Sequence, residues 1–180
     1  MPPWLSVINS YQKIESCLNT SRWVQIATVS QDNTPRVRTV VFRGWSDSYE
    51  MKILIDKRSN KFSDLKANPN SEICWFFSKC LCQFRLRGTS TIDLGEDTIY
   101  HWNQLDTQSR SMWGWPSPGK KYYSNRNDKT LTIENTAILE NFCLLKIKFS
   151  QVDQLILEKP IHFRRQWIFR DNWVEERINP

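Results

Sequence analysis

Five short predicted strands follow one another in the first half of the chain, with only one helix between them. Polar loops of a few residues, such as the SDSYE segment after Trp45, join neighbouring strands and favour antiparallel hairpins. Many short strands with few helices favour a closed or partly closed antiparallel barrel. The predicted strands span residues 23–29, 35–45, 51–56, 71–78 and 80–93, and the helix spans 59–67.

The remaining sequence predicts helices at the edges of this barrel and strands that return the chain to it. Apolar residues at near-helical spacing predict an N-terminal helix over about 3–19, after two prolines. No linker or repeat divides the chain, so we expect one mainly β domain with peripheral helices over residues 1–180. The other predicted elements are a helical section from 95 to about 112, short helices at 120–127 and 134–141, and strands at 143–157, 160–170 and 172–178.

Composition excludes several classes of protein. The 180 residues are 39% hydrophobic and include nine Trp, which favours a globular fold with a proper core. No apolar run is long enough for a transmembrane helix, and the N-terminal stretch does not resemble a secretory signal. The odd number of cysteines, five, suggests reduced thiols, so we expect a cytoplasmic protein. The net charge of +6 favours anionic ligands of some kind.

Two arginines mark the ends of an apolar run in the strand predicted at 35–45. Arg38 opens the run and Arg43 closes it. Because side chains alternate along a strand, Arg38 is expected on the same face as Val40 and Phe42, and Arg43 on the other. The two guanidinium groups therefore cannot reach one phosphate unless a bulge intervenes. Both could equally be solvated cations at strand ends.

A third cation, Lys61, falls in the first turn of the helix that begins near Ser59 and Asn60. A helix N-terminus offers free N–H groups and a positive dipole end, so a cation there is unfavourable unless an anion binds. The alternative is a solvated lysine that reaches past the helix end. The sequence thus predicts a phosphate site that combines Lys61 with Arg38.

These residues, taken in order, resemble the flavin mononucleotide (FMN) site of the pyridoxamine 5′-phosphate oxidase-like split-barrel family. The likeness extends over roughly residues 20–180, and a flavin-contacting Gln and an Arg-rich closing strand of the family also have counterparts. The matched segments are, in chain order, Arg38-Thr39-Val40-Val41-Phe42-Arg43, Ser59-Asn60-Lys61, Asn68-Pro69, Gln83 and RRQWIFRDNWVEERINP.

The resemblance implies an antiparallel split β-barrel that binds FMN as a homodimer, with the flavin at the subunit interface. It implies that Arg38 and Lys61 hold the FMN phosphate with help from Ser59 and Asn60. The other implied cofactor contacts are Thr39, Val40 and Val41 along the ring, Arg43 between flavin and substrate, Ile55 in place of a family Thr, and Gln83 and Arg165 at the polar edge of the ring.

The part of the family site that holds the vitamin B6 substrate is mostly replaced. The family's Tyr-x-x-x-Arg-x-x-x-Ser phosphate clamp becomes Tyr100, Gln104 and Gln108, and its Arg-x-His motif falls at Ile161-His162-Phe163. A flavin-stacking Trp of the family falls at about Leu155. We therefore expect the cofactor site to be retained and the oxidase reaction on pyridoxamine 5′-phosphate to be lost.

Other polar and aromatic residues are assigned more simply. Arg85 and Arg87 share the strand face of Gln83, and we expect them to pair with nearby carboxylates rather than with a substrate anion. Cys74, Cys80 and Cys82 could form a cluster, but a metal site needs a fourth ligand and both histidines are remote in sequence, so we expect no metal site. The histidines also have no nearby Ser or Cys with which to form a catalytic triad, so we expect no hydrolase chemistry. Trp113 and Trp115 could cover a planar ligand or close the barrel end.

Three functions remain open from sequence. The first is an FMN-dependent oxidoreductase that acts on an unknown small molecule. The second is a flavin-binding or sensing module without catalysis. The third, less favoured because acidic residues are scattered among the basic ones, is a basic barrel that binds nucleic acid.

Overall fold

A computed structural model describes residues 1–121, 137–157 and 159–180. In this part of the chain eight strands and four α-helices are present, with one 3₁₀ helix at Asn19–Arg22. The helices are Pro3–Ile14 (α1), Asn60–Ala67 (α2), Glu96–Asn103 (α3) and Thr107–Trp113 (α4). The strands are Trp23–Val29 (β1), Pro35–Trp45 (β2), Met51–Asp56 (β3), Asn70–Phe77 (β4), Cys82–Asp93 (β5), Phe142–Ile156 (β6), Phe163–Phe169 (β7) and Trp173–Arg177 (β8).

The strands form one antiparallel sheet that closes on itself. Their order is β3-β2-β1-β4-β5-β6-β7-β8, and an additional pairing of β3 with β6 closes a six-stranded barrel. One half of the long strand β6 completes the barrel, while the other half carries β7 and β8 beyond it. At a register shift on β5, a side chain on Gly88 would lie 2.1 Å from the Lys148 carbonyl oxygen, so only glycine lets the strands pass there. The predicted antiparallel split barrel is confirmed.

Alternating side chains of the strands fill the barrel, and helices cover its ends. On β1, Val24 and Ile26 are fully buried, while the residues between them face outward. Helix α1 covers the end of the barrel near Trp45, where the indole of Trp4 lies 5.6 Å from that of Trp45. Helix α2 lies at the opposite end of β1 and buries Leu65. The barrel thereby presents α2 beside the ends of β1 and β2.

The strand bounds agree with prediction to within about three residues, whereas several helix bounds differ. Helix α1 ends at Ile14 rather than near residue 19, because the buried Glu15 carboxylate turns away to accept the Lys79 backbone N–H. The predicted helical section over 95–112 is two helices, since Asp106 caps a new one at the Ser109 N–H, 2.6 Å away. Most of the helices predicted at 120–127 and 134–141 lie outside the described residues, and residues 137–141 form a bend and a turn.

Candidate functional site

A group of polar side chains meets where α2 approaches the ends of β1 and β2. We call this group the phosphate corner and define it as Thr28, Arg38, Ser59, Lys61 and Asp64. The Arg38 guanidinium donates to the Thr28 hydroxyl at 2.6 Å, to the Arg36 carbonyl at 3.2 Å and to the Asp64 carboxylate at 3.3 Å. These contacts use three of the five N–H donors of the side chain, and two remain for a ligand.

Lys61 completes the cationic part of the corner. Its ammonium group donates to the Ser59 hydroxyl at 3.3 Å, and the side chain is half-buried. Burial, together with the nearby Arg38 cation, lowers the pKa of Lys61, while the Asp56 carboxylate opposes this effect. Arg38 and Lys61, which are 23 positions apart in sequence, therefore lie close enough for the charge of Arg38 to affect Lys61.

The start of α2 has no side-chain cap. The Ser59 hydroxyl donates instead to the Asp56 carbonyl at 2.6 Å, and the first turn contains no acidic residue. Among the described residues, none accepts a hydrogen bond from the backbone N–H groups of Asn60 or Lys61. Helix α4 differs, because Asp106 caps it. The start of α2 thus presents free donors beside two cations.

This arrangement fits a bound phosphate group. Two like charges that share a partly buried corner repel one another, and a phosphate would offset that repulsion while accepting from the free N–H groups. A phosphate would also restore the lowered pKa of Lys61, because it stabilises the charged ammonium. The residues present are therefore suited to the phosphate end of a flavin nucleotide.

The turn between β3 and α2 is fixed to α4. The buried Asp56 carboxylate accepts three charge-assisted bonds from the Arg58 guanidinium, the shortest at 2.7 Å, and one from Asn141 at 2.9 Å. Arg58 and Asn141 both donate to the Trp113 carbonyl, at 3.1 and 3.0 Å. The Trp113 ring packs edge-on against Phe142, with centroids 4.6 Å apart, and its side chain is partly exposed.

The predicted ring contacts on β2 and β3 have different surroundings. Thr39 is exposed and Val41 half-exposed, whereas Val40 is nearly buried at 8% exposure. Ile55 is 1% exposed and lies in the core cluster, so its side chain is directed away from any ligand on the barrel surface. Asn60 is exposed at the first position of α2.

Arg43 lies apart from the phosphate corner, as the alternation of β2 predicted. The core-facing positions Val40 and Phe42 continue the face of Arg38, and Arg43 is on the opposite side. The register shift on β2 falls between Phe42 and Trp45 and therefore includes Arg43, whose side chain is exposed. Partial desolvation and the nearby Arg22 cation lower the pKa of Arg43, although part of its side chain reaches solvent.

Gln83 and Arg165 of one chain lie on opposite faces of the sheet. Gln83 stands between the fully buried Cys82 and Phe84, so it points outward. Arg165 donates to the fully buried Gln154 at 2.8 Å and lies 4.4 Å above the Trp167 ring, on the core side. The structure of one chain therefore does not bring these two predicted ring contacts together.

The other arginines near Gln83 are paired with carboxylates, as expected. Arg85 and Arg164 both bind the buried Asp153, at 3.1 and 2.9 Å, and Arg87 binds Glu72 at 3.2 Å. These pairs lie side by side on adjacent strands of the barrel. Each of the three arginines therefore has a carboxylate partner within the chain, with Asp153 shared by two of them.

The positions of the missing vitamin B6 clamp are open to solvent. We call Tyr100, Gln104, Gln108, Ile161 and Phe163 the substrate region. Tyr100 and Ile161 are 58% and 73% exposed, and Gln104 and Gln108 are also exposed. The Phe163 ring lies 4.0 Å below the Arg177 guanidinium. Trp115, two residues after the end of α4, is 53% exposed. None of the five residues that define the substrate region is positively charged.

Three supporting residues of the site were not identified from sequence. Asp64, Thr28 and Gln154 are buried polar side chains whose role depends on contacts with arginines distant in sequence. The one signal for Asp64 is its place three residues after Lys61, on the same face of α2. Thr28 and Gln154 carry no such signal.

Neither a membrane-spanning helix nor a metal-binding cluster occurs in the part of the chain that the structure describes. In these residues, no helix combines the length and apolar character needed to cross a membrane. Within the same ranges, no group of three His, Cys, Asp or Glu side chains is arranged to hold a metal ion. All five cysteines are unpaired.

Comparison with known proteins agrees with this geometry. Residues 1–93 match the family model described as pyridoxamine 5′-phosphate oxidase, FMN-binding domain. Pyridoxine/pyridoxamine 5′-phosphate oxidase 2 of Arabidopsis thaliana is 29% identical over 197 residues, which cover 99% of this chain and 97% of that protein.

Two solved structures extend the comparison to the whole fold. The crystal structure of a pyridoxamine 5′-phosphate oxidase-related, FMN-binding protein from Nostoc punctiforme PCC 73102 superposes with a TM-score of 0.93 at 32% identity, over 100% of this chain and 99% of that one. PhzG from Burkholderia lata 383 shares the fold alone, with a TM-score of 0.87 at 11% identity over 98% and 92% of the two chains.

The barrel topology, the phosphate corner and the family match over more than half of the chain lead to one conclusion. The chain belongs to the pyridoxamine 5′-phosphate oxidase FMN-binding family, and its cofactor is FMN.

Proposed function

We propose that this protein is an FMN-dependent oxidoreductase that acts on a small molecule. The observation that supports the proposal most directly is the phosphate corner, where Arg38, Lys61 and the uncapped start of α2 converge. Bound FMN supplies the capacity to accept and donate a hydride at the flavin ring. The protein supplies the position of the flavin and the electrostatic environment around it.

In this proposal each residue has a defined role toward FMN. Arg38 and Lys61 bind the phosphate, and Ser59 holds the Lys61 ammonium in place. The N–H groups of Asn60 and Lys61 donate to the same phosphate. The main chain of Thr39, Val40 and Val41 flanks the flavin ring, and Arg43 lies between the flavin and the substrate. Ile55 contributes through its main chain alone, because its side chain is in the core.

We further propose a homodimer with FMN at the subunit interface. Gln83 and Arg165 face opposite sides of one chain, so a single flavin edge can meet both only if each comes from a different subunit. Light scattering of the FMN-loaded protein at micromolar concentration should give twice the chain mass. A monomer that retains FMN would overturn this assignment.

The oxidoreductase activity is tested by the redox response of the bound flavin. Small reduced compounds, beginning with the pyridoxine and pyridoxamine 5′-phosphates that name the Arabidopsis relative, are mixed with the FMN-loaded protein without oxygen. Bleaching of the flavin absorption band by a compound, and its return when oxygen is admitted, would identify a substrate. The control is chemical reduction, which shows that the bound flavin is accessible to electrons.

A flavin-binding module without catalysis is the second candidate. Gln104 and Gln108 favour it, because they are exposed and uncharged at positions where an enzyme needs groups that orient its substrate. If the chemical reductant bleaches the flavin but no compound in the screen does, the module is favoured and the enzyme proposal is weakened.

A further inference from the structure

Asp64 is a buried carboxylate that joins α2 to β1 and β2. Its side chain is 4% exposed and bonds Arg36 at 3.2 Å and Arg38 at 3.3 Å. It also accepts from the Thr28 hydroxyl at 2.9 Å, and this hydroxyl in turn accepts from Arg38 at 2.6 Å. The carboxylate, the hydroxyl and the guanidinium thus form a closed triangle of hydrogen bonds.

A carboxylate in this position has a cost. Burial of a charge is unfavourable unless it is paired, and a negative group beside a phosphate site repels the ligand. Its presence is explained if it holds Arg38 in one orientation. The triangle and the Arg36 carbonyl occupy both N–H groups of Nη1 and one of Nη2, so the second Nη2 N–H and the Nε N–H remain for a ligand. A prearranged guanidinium loses less side-chain entropy when it binds phosphate.

We propose that Asp64 is the positioning residue for Arg38 in the FMN phosphate site, with the Thr28 hydroxyl as the bridge between them. This inference rests on the proposed role of Arg38 and adds a residue that does not itself touch the cofactor. Asp64 acts on the phosphate only through Arg38. Its effect should therefore concern FMN and not riboflavin, which lacks the phosphate.

The barrel contains a matched control for a purely structural role. Asp153 is also a buried carboxylate, 7% exposed in its side chain, and it also holds two arginines, Arg85 and Arg164. It lies on β6 rather than in the phosphate corner. Asp64→Asn and Asp153→Asn make the same chemical change in similar surroundings, and only the first should alter recognition of the phosphate.

The experiment measures binding of FMN and of riboflavin by calorimetry for each variant of the flavin-free full-length chain. The quantity of interest is the ratio of the two dissociation constants, since a general loss of stability would weaken both ligands alike. Asp64→Asn should reduce the preference for FMN about tenfold, the effect of weakening one charge-assisted contact. Asp153→Asn should leave the preference within about twofold, as expected for a change outside the site.

A double-mutant cycle with Arg38→Ala tests whether Asp64 acts through Arg38. In the Arg38→Ala background, Asp64→Asn should cause no further loss of preference. An equal loss in both backgrounds would overturn the proposal. So would an increased preference in Asp64→Asn alone, because it would mean that the carboxylate mainly repels the phosphate.

Thr28→Val provides a milder test if Asp64→Asn does not fold. It removes the bridging hydroxyl and keeps the carboxylate, so the preference for FMN should fall by a smaller factor. An unchanged preference would count against the proposal.

The set of variants also distinguishes a failure of this inference from a failure of the function on which it rests. If the unaltered protein binds FMN and riboflavin equally, the phosphate site itself is wrong. If Arg38→Ala and Lys61→Ala reduce the preference but Asp64→Asn does not, only the positioning role fails.

Discussion

At the phosphate corner, Arg38 and Lys61 are held by buried partners, whereas in the substrate region the corresponding clamp positions, Gln104 and Gln108, are exposed and uncharged. The corner has free helix N–H groups and a supporting carboxylate, Asp64. The substrate region has no such support among the residues that the structure describes. Among the described residues, the two regions therefore differ in charge and in the buried partners that hold their side chains.

The largest expected effect concerns the substrate region. The FMN-loaded protein should form pyridoxal phosphate from pyridoxamine 5′-phosphate several orders of magnitude more slowly than about one turnover per second, since Gln104 and Gln108 replace charged or hydroxyl clamp residues and each lost contact costs about tenfold per 1.4 kcal/mol. The measurement is pyridoxal phosphate formation in air. Turnover near one per second would show that other residues rebuild the clamp, and the comparison would fail.

The next effect concerns the phosphate corner. Lys61→Ala should weaken FMN binding by about tenfold to a hundredfold, because a charge-assisted contact is worth about 1.5–3 kcal/mol, and should leave riboflavin binding nearly unchanged. Calorimetry with both ligands gives the answer. Lys66→Ala, an exposed lysine in the last turn of the same helix, is the matched control and should not alter either affinity. Equal affinity of the unaltered protein for FMN and riboflavin would contradict the site.

The pH dependence of FMN binding should be smaller and have a defined sign. Because the pKa of Lys61 is lowered in the free protein and a phosphate raises it again, binding takes up protons at alkaline pH, and affinity should fall as pH rises through the lowered pKa. Affinity should rise through about pH 6, where the phosphate loses its second proton. Lys61→Arg, whose charge persists, should bind FMN without the alkaline decline. An alkaline decline that survives in this variant would assign the titration to another group.

The smallest expected effect concerns the two glutamines of the substrate region. Replacing Gln104 and Gln108 together by Ala should change FMN affinity by no more than about twofold, since both side chains are exposed and lie outside the phosphate corner. Fluorescence quenching of the flavin on binding would measure it. A tenfold or greater loss of FMN affinity would mean that the phosphate corner and the substrate region form one site.

Several features of the site were predictable because they depend on local pattern. The alternation along β2 placed Arg38 and Arg43 on opposite faces, and the strand-to-helix turn placed Lys61 in the first turn of α2. Each of these depends on period and neighbouring residues, which the sequence contains directly. That Arg85 and Arg87 need carboxylate partners was predictable as well, because both lie on one face of β5, but the partners Glu72 and Asp153 belong to β4 and β6.

Other features depend on contacts between distant segments. Helix α1 ends at Ile14 because Glu15 accepts the backbone N–H of Lys79, in the turn after β4. The residues around Glu15 do not predict this contact. The split of residues 95–112 into two helices is an exception, because it depends on the local bond from the Ser109 N–H to Asp106. Gln83 and Arg165 were both predicted to bond the polar edge of the flavin, and sheet register places them on opposite faces of one chain, which residue spacing does not reveal.

Side-chain period and turn chemistry act over a few residues, so they were enough to predict the barrel class, the strand bounds and the cations at the ends of β2 and the start of α2. How those cations are held depends on contacts that form only when the chain folds. Asp64 and Thr28 meet Arg38 because closure of the barrel brings α2 against the ends of β1 and β2. A buried carboxylate is stable only where that closure supplies its partners, so its role could not be assigned before the fold was known.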